Sequence, residues 1–86
     1  MKSRVFTVTS TASEIVAVEP ANRTALIHVA GNNIVYLGGS DVTTANGLNT
    51  EKGAVPVAVQ IPAGEALYAV VPSATTETLR VLVQGD

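Results

Sequence analysis

The sequence predicts an all-β fold, a small antiparallel β-sandwich or barrel of about seven strands. Three observations carry this expectation. Val, Thr and Ile supply 28 of the 86 residues, and β-branched side chains are stiff at χ1 and pack well on a pleated surface. Several short segments alternate apolar and polar residues with a period of two, the pattern of a half-buried strand. Clusters of Gly, Pro, Asn and Ser separate these segments at the close spacing of a sandwich or barrel. The length allows one domain over residues 1–86. Charged residues make up only 14% of the chain, against about 25% in an average domain, so much of the polar surface must come from Thr, Ser and Asn.

The first strand is expected over residues 4–10, with Phe6 and Val8 on one face and Thr7 and Thr9 on the other. Met1, Lys2, Ser3 and Arg4 then form an N-terminal arm. A second strand is expected over 14–18, followed by turn chemistry in Glu19-Pro20-Ala21-Asn22. The third, over 23–30, places Ala25, Ile27 and Val29 on one face and Leu26 and His28 on the other. Gly31-Asn32-Asn33 reads as a hairpin turn into a returning strand over 34–37. Residues 38–53 form the longest irregular stretch, with four glycines and only Val42 and Leu48 as large apolar residues. A loop of that length in so small a domain is usually either functional or disordered.

Val55, Val57, Val59 and Ile61 alternate with Pro56, Ala58, Gln60 and Pro62. The prolines cannot donate to a ladder, which predicts an edge strand or a strand with free ends. Two further strands are expected over 66–71 and 78–84, joined as a hairpin by residues 72–77. The predicted core is Phe6, Val8, Ile27, Val29, Val57, Val59, Leu67, Val81 and Val83. Tyr36 and Tyr68 are expected at its margin with their hydroxyls exposed. No segment has the period of a helix of useful length.

Composition excludes several chemistries. Without cysteine there is no disulfide framework, thiolate metal site or Cys nucleophile. No apolar run approaches the 18 residues of a membrane span, and the opening Met-Lys-Ser-Arg-Val-Phe-Thr-Val lacks the apolar stretch of a signal peptide. Five basic residues and a net charge of −2 leave no basic footprint for nucleic acid. Neither a nucleic acid nor a membrane is therefore expected as a partner.

His28 would need a nucleophile and an orienting carboxylate. Ser40-Asp41 does not sit in a Gly-x-Ser-x-Gly elbow. Gly38-Gly39-Ser40-Asp41 lacks the Lys-Ser/Thr of a phosphate loop. Asp41, Asn46 and Asn49 offer too few carboxylates for calcium, which takes six to eight oxygens. The expectation is a protein with no catalytic residues, no metal and no cofactor.

A resemblance points further. Pro20-Ala21-Asn22-Arg23-Thr24-Ala25-Leu26-Ile27 is followed by Val35-Tyr36-Leu37-Gly38, then Ser40-Asp41-Val42-Thr43 and Asn46-Gly47. Ile61-Pro62-Ala63-Gly64-Glu65, Leu67-Tyr68-Ala69-Val70 and Leu79-Arg80-Val81-Leu82 come next. Over residues 20–83 this order resembles small β-rich virion proteins of tailed bacteriophages, especially those of actinobacterial hosts. A free-standing copy is similar to a capsid decoration protein. The resemblance implies a non-enzymatic structural protein on the outer surface of the capsid, binding the major capsid protein and stabilising capsomer contacts. It also implies self-association, with a homotrimer expected. One departure stands out: residues 48–54 are longer and more polar than the Leu-x-x-Gly of that pattern.

The partner contacts are expected in the two polar segments that have too few apolar residues to be fixed by the chain's own core. These are Met1, Lys2, Ser3 and Arg4, and, in the long loop, Asp41, Val42, Thr43, Asn46, Leu48, Asn49, Glu51 and Lys52. The competing function is a tail-fibre or baseplate accessory module that binds a host-surface glycan, for which Tyr36 and Tyr68 are the available aromatics.

Overall fold

The computed structural model describes residues 1–51 and 57–85. It contains β1 (Lys2–Val8), β2 (Ser13–Val16), β3 (Arg23–Val29), β4 (Val35–Gly38), β5 (Leu48–Thr50), β6 (Val57–Ile61), β7 (Leu67–Val70) and β8 (Glu77–Gln84). They form two four-stranded antiparallel sheets. Sheet A runs β1-β8-β3-β6 and sheet B runs β2-β7-β4-β5. The fold is thus an all-β sandwich with eight strands, one more than expected. This strand order is that of an eight-stranded jelly roll, in which successive strands, apart from β4 and β5, alternate between two sheets.

The alternation explains the core. β8 carries Leu79, Val81 and Val83 inward, and β3 carries Ala25, Ile27 and Val29. From sheet B, Val35, Leu37, Leu67 and Ala69 meet them in one cluster. Val8 is fully buried, while Phe6, Val57 and Val59 sit half-buried against the same cluster. β2 contributes two consecutive residues, Ile15 and Val16, because its register shifts between Glu14 and Val16. Such a bulge lets neighbouring side chains point the same way.

Several expectations are corrected. The first strand begins at Lys2, and Lys2, Ser3 and Arg4 pair with Val83, Leu82 and Val81. They are therefore strand, not arm, because β8 is long enough to pair with them. Gly31-Asn32-Asn33 does not close a hairpin: β3 and β4 belong to different sheets. Likewise residues 71–76 connect β7 of sheet B to β8 of sheet A. The same turn chemistry serves an arch between sheets as well as a hairpin within one. Among the described strands, β4 and β5 are the one consecutive pair that stays within a sheet, with Leu37 opposite Leu48. The long stretch 38–53 accordingly holds a strand, and Gly38 belongs to β4. The second strand stops at Val16, leaving Val18 59% exposed. β6 is an edge strand, as the prolines predict; Val55 and Pro56 lie outside the described residues.

Two buried charged residues fasten opposite ends of the sandwich. Arg23, 3% exposed, opens β3. Its Nε donates to the Ala21 carbonyl at 3.2 Å, one terminal nitrogen to Glu65 O at 2.8 Å and the other to Ala17 O. One planar guanidinium thus gathers the β2–β3 and β6–β7 turns, a geometry suited to its fixed fork of donors. At the other end Glu77, 5% exposed, opens β8. Its carboxylate accepts from the Asn33 N–H at 2.7 Å and the Thr78 N–H at 3.0 Å. A Cβ on Gly31 would lie 2.1 Å from a Glu77 oxygen, so only glycine lets the β3–β4 arch close over the carboxylate.

Candidate interface surfaces

The two segments expected to carry partner contacts lie on opposite flanks. β1 is the outer strand of sheet A on the side where β2 bounds sheet B, and β5 lies on the other side beside β6. Lys2, Arg4 and Phe6 line a 140 Å³ cleft with Glu14, Ile15 and Glu19 of the facing layer. Asn49, Thr50 and Glu51 line a separate depression with Val57. The structure therefore does not bring Met1–Arg4 and the loop residues into one site.

The β4–β5 loop also differs in character from the expectation. Val42 is 6% exposed and lies outside the main core cluster. It sits against Gly38 and Gly47, where an added Cβ would approach its Cγ2 to 2.9 Å in both cases. A Cβ on Gly47 would also meet the Tyr36 Cβ at 2.6 Å. The loop thus folds onto the outer side of β4 with Val42 as its plug. Asn46 and Thr43 hold it from within: Asn46 Oδ1 accepts from Thr43 N–H at 2.7 Å, and Asn46 Nδ2 donates to Asp41 O at 3.3 Å. Thr43 O accepts from Gly47 N–H at 3.0 Å. Val42, Thr43 and Asn46 therefore build the loop. Asp41, Leu48, Asn49 and Glu51 remain exposed, Leu48 by 59%. Lys52 lies outside the described residues.

His28 and Ser40-Asp41 do not form a pair. His28 is exposed on the outer face of sheet A, level with Arg80, whereas Asp41 stands on the sheet B loop. Among the described residues no group of three His, Asp or Glu side chains is arranged to hold a metal. Among them, too, no helix is long and apolar enough to cross a membrane. Tyr36 and Tyr68 are half-buried and share the outer face of sheet B: Tyr36 pairs with Val70, and Tyr68 with Gly38 and Glu14.

The outer face of sheet A carries the most distinctive surface. Register places Ser3, Leu82, Leu26 and Ala58 in one row across four strands, with Val5, Arg80 and His28 in the next. Val5 is 62% exposed, and Leu26 and Leu82 are half-exposed. A shallow 430 Å³ groove runs over Val5, Leu26 and Leu82, bordered by Arg80 and His28. The remaining outward positions are polar but uncharged: Thr7, Thr24, Gln60, Thr78 and Gln84. Among the described residues this face has no carboxylate, although the whole chain has a net charge of −2. An apolar band beside the Arg80 guanidinium and rimmed by amide and hydroxyl groups suits a partner that offers apolar side chains and an acidic neighbour.

Sequence reasoning assigned Leu26 and His28 to the face opposite the core but did not single out this surface. The available signal was the presence of Val5, Leu26 and Leu82 at positions that alternation assigns to solvent. Comparison with known protein families, curated proteins and solved structures finds no match to this chain.

Proposed function

We propose that this protein is a non-enzymatic bacteriophage capsid decoration protein, bound to the outer surface of the head through the outer face of sheet A. The observation that carries the reading is the uncovered band of Val5, Leu26 and Leu82, beside Arg80 and His28 and free of carboxylates. Its partner would be an apolar and acidic patch on the major capsid protein. The segments that resemble phage virion proteins fall largely on β3, β4, β7 and β8, the inner strands of the two sheets. They therefore support a shared scaffold, and jelly rolls recur in viral capsid proteins as well as in lectins.

Magnitudes support a multivalent mode of action. Covering the exposed parts of Val5, Leu26 and Leu82 contributes roughly 2–4 kcal/mol before the costs of association. One copy on one patch is then a weak binder. Several copies held in one body gain effective concentration and occupy neighbouring capsomers together.

The test uses heads of the encoding phage assembled without this protein. Wild-type protein should co-sediment with them and raise their resistance to heat. Leu26→Ser with Leu82→Ser, and separately Arg80→Glu, should fold normally and lose at least about tenfold in apparent affinity, the equivalent of 1.4 kcal/mol. Wild-type binding by both variants would refute the assignment of the face, and no binding by the wild-type protein would refute the function.

A further inference from the structure

Among the described residues four strands lie at sheet edges, and three of these are poor templates for another strand. β2 has four residues and a register shift. β5 has three residues. β6 lies between Pro56 and Pro62 in the sequence, and proline cannot donate to a ladder. β1 differs from all of them. It has seven residues in unbroken register with β8, with no proline, glycine or bulge. A long, regular edge is where strand addition occurs.

We infer that β1 is a copy-to-copy contact: two chains pair their β1 strands antiparallel about Val5 and join two A sheets into one eight-stranded sheet. The chemistry of the strand selects this register. Side chains alternate between faces, so inward residues must meet inward residues. Centring on Val5 sets Lys2 opposite Val8, Ser3 opposite Thr7, Arg4 opposite Phe6 and Val5 opposite itself, and all seven residues pair. Centring on Arg4 sets two arginines together, and centring on Ser3 sets Lys2 against Arg4. Like charges directly opposite are unfavourable. Centring on Phe6 matches only five of the seven residues.

The same register covers what the single chain leaves open. Val5, 62% exposed, meets its counterpart. Phe6, half-buried at the margin of the core, receives the Arg4 stem and guanidinium of the other copy, a favourable cation–aromatic contact. The apolar bands of the two outer faces then run into one another, which doubles the surface available to a shell. Inward-pointing charges such as Lys2 and Arg4 can also serve to keep an edge strand single, and a monomer is what that role produces. The inference does not depend on the shell-binding reading, and it gives a twofold association in place of the expected threefold one.

The chain has no cysteine, so one introduced thiol reports cleanly. Sedimentation equilibrium of the full chain at micromolar concentration should give twice the 8.8 kDa chain mass. Val5→Lys, a change on the exposed outer face, should retain its circular dichroism and melting temperature and run as a monomer. Under mild oxidation Val5→Cys should form a covalent dimer, and Ser3→Cys, which faces Thr7, should cross-link at least about tenfold more slowly because of the tight distance limits of a disulfide. A monomeric or trimeric wild-type chain, a dimeric Val5→Lys, or equal cross-linking at both positions would overturn the inference. Head binding is scored separately: a monomer that still decorates heads refutes this contact alone, and a dimer that ignores heads refutes the shell-binding role alone.

Discussion

Replacing Arg23 tests whether a buried cation with only carbonyl partners organises one end of the sandwich. Arg23→Met keeps most of the stem volume and removes three hydrogen bonds, to Ala17 O, Ala21 O and Glu65 O. A hydrogen bond to a charged donor contributes roughly 1.5–3 kcal/mol net in a buried setting. The three acceptors belong to residues exposed at turns, where water can replace part of what is lost. Relief of the guanidinium's desolvation offsets more. About 1 kcal/mol per bond is therefore reasonable, or about 3 kcal/mol in total. For a domain of this size that lowers the melting temperature by roughly 12–24 °C. Arg23→Lys should fall between wild type and Arg23→Met, because a compact ammonium cannot serve three separated carbonyls. Urea and thermal unfolding followed by circular dichroism give both values. A loss below about 0.5 kcal/mol for Arg23→Met would refute the reasoning, since that is the range of ordinary surface substitutions.

Two further predictions follow from the structure. Gly31→Ala should cost about 1–3 kcal/mol through the clash with the Glu77 carboxylate, and much of that cost should vanish in a Glu77→Ala background, giving a non-additive double-mutant cycle in urea unfolding. On a glycan array the protein should give no signal dependent on Tyr36 or Tyr68. Specific binding that Tyr68→Ala abolishes would favour the host-surface module over the capsid role.

The sequence made the faces of strands legible more readily than their partners. Alternation placed Val8, Ile27, Val29, Val81 and Val83 in the core, and all five are buried. It could not divide eight strands between two sheets, because that choice depends on non-local pairing. The turn residues 31–33 serve an inter-sheet arch with the same chemistry that a hairpin would use. Arg23 and Glu77 share the inward parity of Ala25 and Leu79, so their positions could have been read from the period. The general rule that charged residues stay at the surface pointed the other way. Val42 is a similar case. Its isolation in a polar loop hid it, yet Gly38 and Gly47 were the sign that something packs closely there. The sheet A surface was legible only in part, since three apolar residues on three strands become a patch only once β1, β8 and β3 are known to be neighbours.

The most direct measurement is a cryo-electron microscopy map of purified virions that carry this protein, compared with heads assembled without it. The prediction is additional density on the outside of the head at regular lattice positions, fitted by the jelly roll with Leu26, Leu82 and Arg80 toward the shell. Density confined to the tail or baseplate, or identical maps with and without the protein, would contradict it.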